Sequence, residues 1–161
     1  ITPHMRTRGS GTIINISSVG GRLTNPLGGW YHASKHAVEA FSDALRMETA
    51  PFGIDVVVIQ PGGIRTEWPG ITADHLEETA EGSAYAAQVE AVAGWMRSES
   101  TAKRLSPPSV IADTVKKIVT ARKPHTRYVV GFGGKPLLIL RRILPDRAFD
   151  YVVSIVFGVR R

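Results

Sequence analysis

The chain has 161 residues, a net charge of +6 and a pI near 10.0, with 43% hydrophobic and 21% charged residues. That is enough for one domain with a sizeable core and too little for two ordinary ones. It has no cysteine, which excludes disulfides and thiolate metal sites and makes a cytoplasmic location the default expectation. Arg and Lys are scattered except at the C-terminal end, without the clustering a nucleic-acid surface needs, so no nucleic-acid partner is expected.

The first residues, Ile1-Thr2-Pro3-His4-Met5, have neither the cationic start nor the apolar stretch of a signal peptide. They read as the end of a helix, followed by the turn-forming run Thr7 to Gly11, so the chain is expected to begin partway through a domain. Thr12-Ile13-Ile14-Asn15-Ile16-Ser17 is rich in β-branched residues and lacks helical periodicity, and reads as a buried parallel strand. Ser17 and Ser18 fall at its carboxyl end, where open α/β sheets place their ligand sites. From Tyr31 to Met47 the pattern turns helical. Ala33, Ala37, Ala40, Phe41, Ala44 and Leu45 form the expected packing face, and Ser34, Glu39, Asp43 and Arg46 a hydrated one. His32 and His36 lack a third group at metal spacing and read as surface or packing residues.

Ile54 to Ile59 is a second continuous apolar run, so a strand, a helix and a strand follow in the order of a parallel crossover. It ends in Gln60-Pro61-Gly62-Gly63-Ile64-Arg65-Thr66, a turn whose glycines permit close approach by a ligand. Residues 66–106 read as one or two helices covering the site as a substrate lid, with Trp68, Trp95 and Met96 supplying an apolar lining. His75 has no evident partner there. A helix is expected from Val110 to Ala121 with Ile111, Val115, Ile118 and Val119 inward, then a short strand at Arg127 to Gly131. Residues 136–161 form a basic, apolar helical tail. It is too short to span a bilayer and is expected to pack on the core, with peripheral membrane contact as the alternative.

Within this frame Tyr31 and Lys35 lie four apart, one turn up the same helix face. A phenol is a poor acid at neutral pH, and a neighbouring ammonium favours its ionised form. A hydroxyl delivered from a strand end by Ser18 can hold a substrate oxygen against that phenol. The combination is suited to moving a proton on and off an alcohol or carbonyl oxygen.

The ordered set Asn15-Ile16-Ser17-Ser18, Tyr31-His32-Ala33-Ser34-Lys35 and Pro61-Gly62-Gly63-Ile64-Arg65-Thr66 closely resembles the short-chain dehydrogenase/reductase family. Gly29-Trp30-Tyr31 and the stretch through Trp68 look most like the hydroxysteroid and retinol dehydrogenase subgroup. The resemblance implies an α/β fold, here the C-terminal half of a Rossmann-type doubly wound parallel sheet: three strands with flanking helices, the N-terminal half being absent. It implies hydride transfer between NADP or NAD, with NADP favoured, and an apolar secondary alcohol or ketone. Tyr31 would be the proton donor and acceptor, Lys35 would hold the nicotinamide ribose and lower the pKa of Tyr31, and Ser18 would orient the substrate oxygen. Pro61, Gly62, Ile64 and Thr66 would border the nicotinamide, no metal is implied, and the full-length protein would be a homo-oligomer.

The family's glycine-rich turn, its cofactor-selecting residue and its Asn-Ala-Gly segment have no counterpart here; Gly9-Ser10-Gly11 precedes a strand and does not open a helix. The 161-residue chain is therefore expected to be an inactive piece of an oxidoreductase. The alternative is a complete, non-catalytic half-domain serving as an interaction module.

Overall fold

The computed structural model describes residues 2–159. A short helix, α1 (Thr2–Arg8), ends at Gly9, whose positive φ reverses the chain into strand β1 (Gly11–Ile16). A single 3₁₀ turn at Val19–Gly21 then leads to the long helix α2 (Gly29–Thr49). Strand β2 (Ile54–Pro61) follows, and three helices cross above its end: α3 (Trp68–Ala80), α4 (Ala86–Arg97) and the one-turn α5 (Glu99–Ala102). Helix α6 (Ser109–Thr120) returns the chain to strand β3 (Arg127–Val130). Helices α7 (Gly134–Ile143) and α8 (Asp146–Val156) form the tail, divided at Pro145 as the sequence predicts.

The strands form one parallel sheet in the order β1-β2-β3, with Ile14 beside Val57 and Ile59 beside Tyr128. β2 is central and, beyond the exposed Asp55 near its start, buried on both faces, which explains its nearly continuous apolar run. Side chains alternate along it, so Val57 and Ile59 meet Ile118 of α6 on one face while Gln60 reaches α2 on the other. The α/β architecture of three parallel strands with flanking helices is the one expected.

Two helix faces differ from expectation. In α2 the buried residues are His32, Glu39, Ser42 and Thr49, whereas Ala33, Ala37, Ala40 and Phe41 face outward and Trp30 is 92% exposed. Periodicity separates the two faces of a helix without saying which one turns inward. The inward face here is polar because it meets hydrogen-bonding partners: Asn15 Nδ2 donates to Ser42 Oγ (2.9 Å) and Gln60 Nε2 to Glu39 Oε1 (2.9 Å). In α6, Thr114 and Ile118 are buried, Ile111 and Val115 half-buried, and Val119 is turned out to solvent instead of inward.

β1 lies at one edge of the sheet. Its residues from Gly11 to Asn15 are only half-buried despite their apolar character, and Ile16 is exposed. Among the described residues no helix is long and apolar enough to cross a membrane.

Candidate active site

Ser18, Tyr31, Lys35, Pro61, Gly62, Ile64 and Thr66 all line one cavity of about 480 Å³ at the carboxyl ends of β1 and β2. The fold thus brings together every site residue expected from the sequence. β1 delivers Ser17 and Ser18, the first turns of α2 deliver Tyr31 and Lys35, and the end of β2 delivers the glycine turn.

Ser18 caps the 3₁₀ turn. Its Oγ accepts the Gly20 amide (3.0 Å) and donates to the Pro61 carbonyl (3.4 Å). One hydrogen bond fixes the oxygen, and the long one leaves its proton free to turn toward a better acceptor. Lys35 Nζ donates to the Ile16 carbonyl (3.4 Å) and lies 5.8 Å from the centroid of the Tyr31 ring. The β1 end therefore holds the ammonium beside the phenol, one helical turn away. Trp68, at the start of α3, stands over Tyr31 with ring centroids 5.5 Å apart. Tyr31 is half-buried and Ser18 buried, so water is partly excluded from the space between them.

The Pro61–Thr66 turn is held by backbone pairing. Gly62 and Gly63 donate to the carbonyls of Val130 (2.7 Å) and Phe132 (2.8 Å), and Arg65 donates to Ser106 (2.8 Å). A Cβ at Gly62 would stand 2.6 Å from the Phe132 carbonyl oxygen, so the chain itself also makes a close approach here. The Ile64 amide, between these bonds, has no protein acceptor among the described residues. Thr66 Oγ1 accepts the Trp68 amide (3.3 Å) and so starts α3.

Several supporting residues went unseen in the sequence. His32 is 3% exposed; its Nδ1 donates to the Gly20 carbonyl (2.9 Å), leaving Nε2 to accept the Asn25 amide (3.2 Å). This imidazole clamps the Ser18 turn against α2, the packing role its lack of metal partners suggested. Gly21 is needed for the same closeness, since a Cβ there would meet Ser17 Oγ at 2.7 Å and the Lys35 carbonyl at 2.9 Å. Glu39, expected in water, is buried and accepts from Gln60, from Arg22 (3.2 Å) and from Arg127 (3.0 Å). Arg127 also donates to Asp43 (2.7 Å), and Arg46 pairs with the same carboxylate. Burial opposes ionisation of Asp43, but the hydrogen bonds from Arg127 and Arg46 outweigh it and hold the carboxyl below its ordinary value.

The roof of the cavity comes from α3, α4 and the segment after α5. Arg97 of α4 clamps Asp74 and Glu77 of α3 at 2.5 Å each, and Trp95, Met96 and Leu105 face the cavity. His75 does have a neighbour, Glu78 at 3.4 Å, in an exposed pair away from the site. The tail closes one side through Leu140, Phe149, Val153 and Phe157, and the Trp95 and Phe157 rings meet at 4.5 Å. The cavity wall is overwhelmingly apolar apart from the hydroxyls and ammonium at its end.

The family model for short chain dehydrogenases matches residues 1–75, the span that contains Ser18, Tyr31, Lys35 and the glycine turn. The chain belongs to the short-chain dehydrogenase/reductase family. A short-chain dehydrogenase of known structure from Streptomyces avermitilis superposes with a TM-score of 0.68 at 26% identity, covering 99% of this chain and 56% of the other. Among curated relatives, the 3-ketodihydrosphingosine reductase of Bacteroides thetaiotaomicron is 34% identical over 171 residues, which take in 99% of this chain and 59% of the relative. The NADPH-dependent 3-dehydrocapnine reductase of Ornithobacterium rhinotracheale is 35% identical over 145 residues, or 88% of this chain and 49% of the relative. The chain spans about half the length of the curated short-chain dehydrogenases and reductases it matches.

Proposed function

We propose that this chain is the catalytic half of an NADP(H)-dependent reductase acting on the ketone, or in reverse the secondary alcohol, of an apolar, lipid-like molecule. The observation that carries the reading is one cavity with Ser18, Tyr31 and Lys35 at its polar end and apolar side chains along its length. The relatives named as reductases, one of them NADPH-dependent, support both the direction and the cofactor.

The residues present fit a nicotinamide. The unpaired Ile64 amide suits a carboxamide oxygen, and Lys35, held only by a long bond to Ile16, has donors to spare for ribose hydroxyls. Pro61, Gly62 and Thr66 would border the ring. When bound, the cofactor supplies or accepts the hydride.

The remaining work falls to this chain. Ser18 Oγ turns its proton from the Pro61 carbonyl to the substrate oxygen, while the Gly20 amide keeps Oγ in place. Tyr31 donates its phenolic proton to that oxygen in reduction and recovers it in oxidation. The Lys35 ammonium compensates the negative charge left on the phenol. Trp68, Trp95 and the tail exclude water from the reacting oxygen. The outward apolar face of α2 would pair with a second copy, since Trp30, Ala33 and Ala37 reappear in reverse as Met47, Ala44 and Ala40.

The test uses protein in which these 161 residues are preceded by a nucleotide-binding half. Tyr31→Phe is expected to lower kcat for ketone reduction by about 10²–10⁴ while leaving NADPH binding nearly unchanged. Turnover that survives the substitution would remove Tyr31 as the proton donor.

A further inference from the structure

Helices α7 and α8 are two-sided in an unusual way: both sides are apolar. Their inner sides, through Leu137, Leu140, Phe149, Val152 and Val153, form one wall of the cavity. Their outer sides carry Ile139, Ile143, Tyr151 and Ile155, which are 61%, 68%, 68% and 62% exposed. At 100° per residue, Ile139 lies about 160° and Ile143 about 120° around α7 from Leu137, with Ile143 bordering the Leu140 side, and Tyr151 and Ile155 lie across α8 from Phe149 and Val153. The same outer surface holds Lys135, Arg142 and Arg147, all exposed and in no ion pair among the described residues. Arg141 is different, being paired with Asp146 (2.8 Å) and laid over the Phe149 ring.

We infer that the outer faces of α7 and α8 dock on an anionic lipid surface, so that the apolar cavity opens beside a bilayer. Each helix is only about three turns long and Pro145 divides them, so the pair lies in the interface and does not cross it. Isoleucines and a tyrosine among unpaired cations have the composition of an interfacial helix: the apolar groups enter the acyl boundary and the cations meet headgroup phosphates. A second copy of the chain is a poor occupant of this face, because a two-fold contact would set Lys135, Arg142 and Arg147 against themselves, with Asp150 and the Arg141-paired Asp146 as the counter-charges nearby in sequence. With the bilayer on one side of two helices and the cavity on the other, an apolar substrate passes between them without crossing water. That last step rests on the lipid-ketone reading above; the docking does not.

The test needs neither cofactor nor turnover, so its failure is distinct from failure of the proposed chemistry. The purified chain is sedimented with vesicles of phosphatidylcholine alone and of phosphatidylcholine mixed with phosphatidylglycerol. Binding is expected to be at least about tenfold stronger to the mixed vesicles and to weaken with added salt. Each basic side chain is worth about fivefold at such a surface, so Arg142→Ala with Arg147→Ala should reduce binding about 25-fold. Ile139→Glu with Ile155→Glu should abolish it. Both double variants are solvent-facing and should keep the parent's circular dichroism and thermal midpoint. Equal binding to both vesicle types, binding indifferent to these substitutions, or a protein that self-associates through this face and ignores vesicles would each overturn the proposal.

Discussion

Glu39 receives hydrogen bonds from three separate parts of the chain: Gln60 at the end of β2, Arg22 beside the 3₁₀ turn and Arg127 at the start of β3. It therefore fixes the rotation of α2, and with it the angle at which Tyr31 and Lys35 enter the cavity. Removing the carboxylate leaves Gln60 and part of the Arg127 guanidinium without an acceptor in a buried place. Glu39→Ala is expected to cost about 3 kcal/mol in urea unfolding, and Glu39→Gln less, because it keeps an acceptor oxygen. Asp43 adds a pH signature. Its carboxyl is held below the ordinary value when folded, so its stabilising contribution is complete above about pH 4 and is lost as pH falls through the lower folded value. Asp43→Asn should flatten the acid limb of a stability-against-pH curve below about pH 4 and change its neutral region by a roughly constant offset. The meeting of Ser18, Tyr31 and Lys35 at one cavity was legible in the sequence, because a strand end and one helix turn set where they fall. Glu39 was not, because an acidic residue on a helix reads as solvated and its partner Arg127 lies 88 positions away.

At the scale of elements, β2, β3, the break at Pro145 and helices α3 and α4 follow from apolar runs, turn residues and caps that are local in sequence. The orientation of α2 does not. Its alanines, Phe41 and the two ends Trp30 and Met47 make an apolar stripe as regular as any core-facing one, yet they look outward. What turns the helix over is its polar side, which finds Asn15, Gln60 and Arg127 waiting on the sheet. The outward stripe is then available for a two-fold contact in which Ala37 and Ala40 let two helices approach closely. Phe41→Glu should shift sedimentation velocity from dimer to monomer while leaving the unfolding midpoint of the monomer within about 0.5 kcal/mol of the parent. A sedimentation coefficient that the substitution leaves unchanged would put the contact elsewhere.

For the whole molecule, the polar ends of β1 and β2 and the cavity above them are complete, whereas the far edge of β1 is not covered: Ile13 and Ile14 are half-buried and Ile16 is exposed. Among the described residues no strand leads through a glycine-rich turn into a helix, the arrangement that holds a pyrophosphate. Titrating the 161-residue chain with NADPH and following cofactor fluorescence should show no binding in the micromolar range; a micromolar constant would mean that a phosphate site of another kind exists here.

The meeting of Trp95 and Phe157 has a kinetic consequence. These rings join α4 to the residue that ends α8, and they touch at 4.5 Å across the cavity, so any widening between lid and tail must part them. An aromatic pair of this kind is worth about 1 kcal/mol beyond its buried area, roughly a fivefold bias toward the closed form. Such a contact is strong enough to favour a closed cavity and weak enough to break and re-form readily. It ties the residence time of any molecule in the cavity to one contact: shortening either ring would quicken its escape in proportion.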